Sequence, residues 1–189
     1  MLIRILAFLL ETVFFVLIAA ALLRAWMNRA RVNMSGQPGS FVMALTDWLV
    51  KPLRRVLPKS VVQSRVDWAS VLTAALLSLL YAMLWGVLFG VLLPAENWSL
   101  NFAPAALLSM LIFAVKMMVR VALQILMILV LGYAILSWVQ PGSPAYLLLA
   151  RLTEPLLSPL RRIIPTIGGV DLSALLLLLL LQLGLMVLV

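Results

Sequence analysis

Neither cysteine nor histidine occurs in the 189 residues. Their absence removes thiolate nucleophiles, disulfides, the usual zinc sites, histidine-ligated haem and the imidazole base of a catalytic triad. Acid is scarce as well. The carboxylates are Glu11, Asp47, Asp67, Glu96, Glu154 and Asp171; scattered as they are, they make no metal-type cluster and no close acid/base pair in the sequence. The expectation is a protein that is not an enzyme and uses no metal or cofactor.

Charge of either sign is thin, at 11% of residues, whereas 66% are hydrophobic. A soluble domain is about half apolar and about a quarter charged, so the expected solvent is lipid. Basic residues outnumber acidic ones by 14 to 6, for a formal charge of +8. They stand beside long apolar runs, which points to anionic phospholipid headgroups rather than nucleic acid as the partner.

Crossing about 30 Å of hydrocarbon takes about 20 helical residues. Four stretches qualify: Leu2 to Trp26, Ala69 to Leu93, a segment inside Pro104 to Trp138, and Leu172 to Val189, which contains the leucine run Leu175 to Leu181. The third is longer than a span requires, so Pro104 to Phe113 is read as an interfacial or protruding part of the same helix, with Pro104 in its first turn. Asp67 and Asp171 suit N-caps, and Trp26, Trp68, Trp98 and Trp138 suit membrane interfaces.

The most informative feature is an internal repeat. Leu45-Thr46-Asp47-Trp48-Leu49-Val50-Lys51-Pro52-Leu53-Arg54-Arg55-Val56-Leu57-Pro58 aligns without gaps to Leu152-Thr153-Glu154-Pro155-Leu156-Leu157-Ser158-Pro159-Leu160-Arg161-Arg162-Ile163-Ile164-Pro165, 107 positions on. The division that follows is a first repeat over 1–93, an outer loop over 94–103 and a second repeat over 104–189. Two spans per repeat make the repeats parallel, with both motif loops on one side. Those loops carry Arg29, Arg31, Lys51, Arg54, Arg55, Lys59, Arg65, Arg151, Arg161 and Arg162; the other side has Arg4 and, near it, Lys116 and Arg120. By the positive-inside rule the loops are cytoplasmic and both termini lie outside. The fold class expected is all-α: four transmembrane helices in two helix-loop-helix repeats, with short amphipathic interfacial helices in the loops.

The motif T-[DE]-x-L-x-x-P-L-R-R-x-[LI]-P, followed in the second copy by Ile167-Gly168-Gly169-Val170-Asp171-Leu172-Ser173 and preceded by Ser137-Trp138-Val139-Gln140-Pro141-Gly142, resembles the YggT family of small bacterial membrane proteins over nearly the whole chain. The second copy is the fuller match; the first has Trp48 where the second has Pro155, and no Gly-Gly turn. The resemblance implies a bacterial inner-membrane protein linked to osmotic-stress tolerance or to envelope and cell-division organisation. Plastid relatives are linked to cytochrome b6 maturation, and no member is a recognised enzyme.

Within each motif, Thr46 or Thr153 is expected to cap a helix of about two turns, with Asp47 or Glu154 at its positive end, Pro52 or Pro159 opening the next turn, and Pro58 or Pro165 ending it. Such a helix would lie in the interface. Arg54, Arg55, Arg161 and Arg162 then either set topology by snorkelling to headgroups or form a bidentate site for lipid phosphate or an acidic partner, with Asp47 and Glu154 as alternative ion-pair partners.

A second constellation falls inside the spans. Lys116, Arg120 and Gln124 form an i, i+4, i+8 stripe, and extending the repeat places Arg120 and Gln124 at the depth of Glu11. Two readings follow: a Glu11–Arg120 clamp joining the repeats, or a polar path to which Ser78 and Gln182 add, needing an oligomer to conduct. Two functions stay open, a non-enzymatic scaffold or assembly factor engaging lipid or membrane-protein partners, and a component of an ion or osmolyte transport system.

Overall fold

The computed structural model describes residues 1–34, 36–58, 66–92, 104–162 and 171–188. Among these residues every regular element is a helix, and there are six: α1 (Leu2–Arg29), α2 (Gly39–Val56), α3 (Trp68–Leu92), α4 (Pro104–Val139), α5 (Pro144–Arg161) and α6 (Leu172–Leu188). Three of them, α1, α3 and α4, are long and apolar enough to cross a membrane, while α6 is equally apolar but has 17 residues, about 25 Å at the α-helical rise. Nothing interrupts α1, which holds no proline or glycine over its 28 residues. As the sequence suggests, Pro104 opens α4 and the segment to Phe113 belongs to it; its 36 residues reach about 54 Å, more than a bilayer core needs.

The helices pack as two triads. α1, α2 and α3 contact one another, as do α4, α5 and α6, and α4 also packs on α1 and α3. The first apolar core joins Phe14, Ile18 and Ala21 of α1 to Ala74, Leu77 and Tyr81 of α3 and Val121, Ile125 and Leu129 of α4. The second joins Val130 and Tyr133 of α4 to Leu157 of α5 and Ala174, Leu177 and Leu181 of α6. Gly132 permits close approach of α5, since a Cβ there would stand 3.1 Å from Leu149 Cδ1. A direct bond also ties the triads: Trp26 Nε1 donates to the Leu152 carbonyl at 2.9 Å.

Both motif helices differ from the two-turn expectation. Each runs for 18 residues, and Thr46 and Thr153 lie in their interiors rather than at N-caps. The hydroxyls donate instead to carbonyls four residues earlier, Thr46 to Val42 at 2.7 Å and Thr153 to Leu149 at 2.8 Å, the back-bonding available to a buried threonine within a helix. In α5 the start signal lies upstream. Gly142 takes φ +88°, Ser143 accepts a bond from Tyr146 N, and Pro144 fills the first helical position, an arrangement suited to glycine, serine and proline in that order. Pro52, Pro155 and Pro159 sit inside the helices, each removing one bond from the ladder. Helix α2 does stop before Pro58, whereas Pro165, the Gly168-Gly169 turn, Lys59, Arg65 and the expected outer loop lie outside the described residues.

Candidate functional site

The duplicated motif builds two ion-pair networks, one per triad. In the first, Arg24 of α1 is 5% exposed, and a buried guanidinium needs charged partners to offset its desolvation. It has them: Nη1 donates to Asp47 Oδ1 and to Thr46 Oγ1, both at 2.8 Å, and Nε lies 3.8 Å from Asp67 Oδ2. Asp67 also takes Arg54 Nη2 at 2.7 Å, and Asp47 takes Lys51 Nζ at 2.7 Å. While so engaged, Asp67 caps α3 by accepting from Ser70 N and Oγ. The hydrogen bond and charge of Lys51, aided by Arg24, hold the Asp47 carboxyl below the usual carboxylate range.

In the second network Arg161 is the hub. Its Nη2 lies 2.7 Å and its Nε 3.0 Å from Asp171 Oδ2, its Nη1 lies 2.8 Å from Glu154 Oε2, and Nη2 also donates to the Tyr133 hydroxyl at 2.6 Å. Asp171 caps α6 by accepting from Ser173 N at 3.1 Å and from Ser173 Oγ. Burial alone would push the Asp171 carboxyl up, but the bonds from Ser173 and Arg161 outweigh it and hold the group below its ordinary value. Burial would lower the pKa of Arg161, but the hydrogen bond of Asp171 and the charges of Tyr133, Asp171 and Glu154 outweigh it and raise the value. Tyr133 lies one turn before the position equivalent to Arg24, yet each sits late on its long helix and reaches the aspartate at the head of the next apolar helix.

Of the expected pairings, Glu154 with Arg161 is present, but Asp47 meets Arg24 and Lys51 rather than Arg54. The two arginines of each pair differ. Arg54 and Arg161 are held by carboxylates, whereas Arg55 and Arg162 are exposed and join none of the ion pairs found among the described residues. Beside Arg55 the surface of α2 is apolar as well as basic, with Phe41, Trp48 and Val56 exposed.

The intramembrane constellation comes together only in part. Glu11, Thr12, Phe8 and Phe15 of α1 face Met117, Arg120 and Gln124 of α4 across a cleft of about 320 Å³. Yet no ion pair joins Glu11 to Arg120 within 4.0 Å, so the expected clamp is not made; the two helices hold the charges apart across the opening. Lys116 is exposed outside the cleft lining. So is Gln182 on α6, and Ser78 is buried with its hydroxyl donated to the Ala74 carbonyl at 2.8 Å. None of these three residues lines the cleft.

The CCB3/YggT family model matches residues 1–88 and 112–189, one segment on each copy of the motif. The chain belongs to the CCB3/YggT family. It is 36% identical over 177 residues to the YggT protein of Escherichia coli K12, covering 93% of this chain and 85% of that one. It is 35% identical over 172 residues to a Vibrio alginolyticus protein described by its position in the proC 3′ region, with 90% and 86% covered. Both relatives are described as uncharacterized. No solved structure matches.

Reading the sequence passes over Arg24 and Tyr133 and gives Asp67 and Asp171 only a capping role. The duplicated aspartate at the head of each second apolar helix is the signal that points to the networks. Arg24 has no such signal, because the repeat aligned through Trp26 and Trp138 puts Leu136 in its place.

Proposed function

We propose that this family member is a non-enzymatic multi-pass protein of the bacterial inner membrane, with four spans in two parallel repeats, that acts as a scaffold or organising factor through a basic cytoplasmic face. The observation that carries the reading is the division of labour within each arginine pair: one guanidinium fastens the motif helix to the next apolar helix, and its neighbour is left facing outward. The Arg55 guanidinium, on the face of α2 that also exposes Trp48 and Phe41, suits phosphates at the headgroup level with the aromatic rings at the acyl boundary. The resemblance to the family supplies the physiological setting, osmotic-stress tolerance or envelope and division organisation, with other membrane proteins or a second copy as partners.

The test is lipid retention. Protein purified in mild detergent from mixed phosphatidylglycerol and phosphatidylcholine should keep phosphatidylglycerol preferentially, as read by native mass spectrometry. The double change Arg55→Ala with Arg162→Ala should remove that preference while leaving the thermal midpoint near that of the parent. An unchanged preference would leave topology as the sole role of the pair. A transport component is the second reading, favoured by the charged cleft between α1 and α4; ion or osmolyte flux in proteoliposomes that disappears with Arg120→Gln would place it first.

A further inference from the structure

The cleft between α1 and α4 holds charges of both signs that do not touch. On the α1 side stand Glu11, flanked by the rings of Phe8 and Phe15 one turn before and after it, and Thr12. The Thr12 hydroxyl proton is already committed to the Phe8 carbonyl at 2.8 Å, so its oxygen is left as an acceptor. A carboxylate, a hydroxyl acceptor and two aromatic rings form a receptor for an ammonium group. On the α4 side Arg120 and Gln124, one turn apart, offer guanidinium and amide donors suited to an oxyanion. At the edge of the hydrocarbon an unsatisfied charge is costly. Held apart across about 320 Å³, Glu11 and Arg120 leave room for a group that satisfies each.

Depth selects the kind of molecule. Glu11 is about 22 Å along α1 from Trp26, and Arg120 about 27 Å along α4 from Trp138, at the α-helical rise. With those tryptophans at one interface of a core about 30 Å thick, the cleft opens close to the headgroup layer of the opposite leaflet.

We propose that this cleft binds a zwitterion of the phosphoethanolamine type, its ammonium against Glu11 and Thr12 and its phosphate against Arg120 and Gln124, supplied either by phosphatidylethanolamine of that leaflet or by a small soluble zwitterion. The inference rests on the membrane placement proposed above but not on the basic face. Its failure is therefore separable from the failure of that reading: one depends on Glu11 and Arg120, the other on Arg55 and Arg162.

The experiment measures retained lipid on the full chain by native mass spectrometry after extraction from bilayers of phosphatidylethanolamine and phosphatidylglycerol, with soluble O-phosphoethanolamine added in a second arm. Glu11→Gln and Arg120→Gln should each weaken phosphatidylethanolamine retention by about tenfold, as expected for one charge-assisted contact. Glu11→Asp and Arg120→Lys, which keep the charges, should retain more than the amide variants and show that the fold is intact. Phosphatidylglycerol, which has phosphate without ammonium, should be insensitive to Glu11→Gln. If the soluble zwitterion binds with the same dependence on both residues and the lipid does not, the site stands and its source is the free molecule. Equal retention of phosphatidylethanolamine by parent and amide variants, with no binding of the soluble compound, would overturn the proposal. So would a change in oligomer mass on substitution with no change in lipid, which would instead assign Glu11 and Arg120 to reciprocal pairs between two copies.

Discussion

At the scale of single residues, the informative one is the charge that sequence patterning does not flag. Arg24 sits in an apolar helix, two positions before a tryptophan of the kind found at interfaces. It is enclosed and bonded to Asp47 and Thr46, with Asp67 in range. Among the described residues no buried side-chain nitrogen or oxygen lacks a partner; removing this one group takes a charged donor from Asp47 and Thr46, while Asp47 keeps Lys51 and Asp67 keeps Arg54. Arg24→Ala should lower stability by about 1.5–3 kcal/mol, the general contribution of hydrogen bonds to a charged group. Exposed Arg29→Ala should stay within about 0.5 kcal/mol. Thermal midpoints in one detergent measure both. A drop no larger for Arg24 than for Arg29 would show that the first network stabilises nothing.

At the scale of elements, each motif helix is fastened to the head of the following apolar helix through an aspartate that also caps that helix. The linkage has a definite pH sense. The folded pKa of Asp171 is depressed, so its contribution to stability is present above the unfolded value of about 3.9 and is lost as pH falls through the folded one. The stability gap between the parent and Asp171→Asn should therefore be widest near neutrality and close below about pH 3.9, as followed by tryptophan fluorescence during melting. A gap independent of pH would mean that the α5–α6 fastening owes nothing to ionisation. These elements were half legible beforehand. The motif, its duplication and the cap residues Asp67 and Asp171 stand in the sequence, because they are local. Helix length did not, because the two-turn estimate treated Thr46, Thr153 and the internal prolines as punctuation, whereas burial of Val42, Val50, Leu152 and Leu157 carries the helix through them.

At the scale of the whole molecule, the apolar runs and their order were legible from composition and length alone, since lipid selects for long uninterrupted stretches. Which residues meet across helices was not, as Glu11 and Arg120 illustrate: similar depth puts them in one cleft, yet they make no ion pair. The parallel arrangement remains open to a direct check, helped by a chain that has no native cysteine. Single cysteines at Ser40 and Ser143, each at the start of a motif helix, should resist an impermeant thiol reagent in intact cells and react once the membrane is opened. Labelling of only one from outside would exclude the parallel repeat. The bond from Trp26 to the Leu152 carbonyl bears on how the chain is made. Its ends are 126 residues apart, whereas Arg24 needs a chain only 23 residues longer to reach Asp47, so the first triad can gather its charges while α4 is still on the ribosome. The indole must wait until α5 emerges, and that contact therefore reports, during biosynthesis, the moment at which the second motif helix docks onto the first triad.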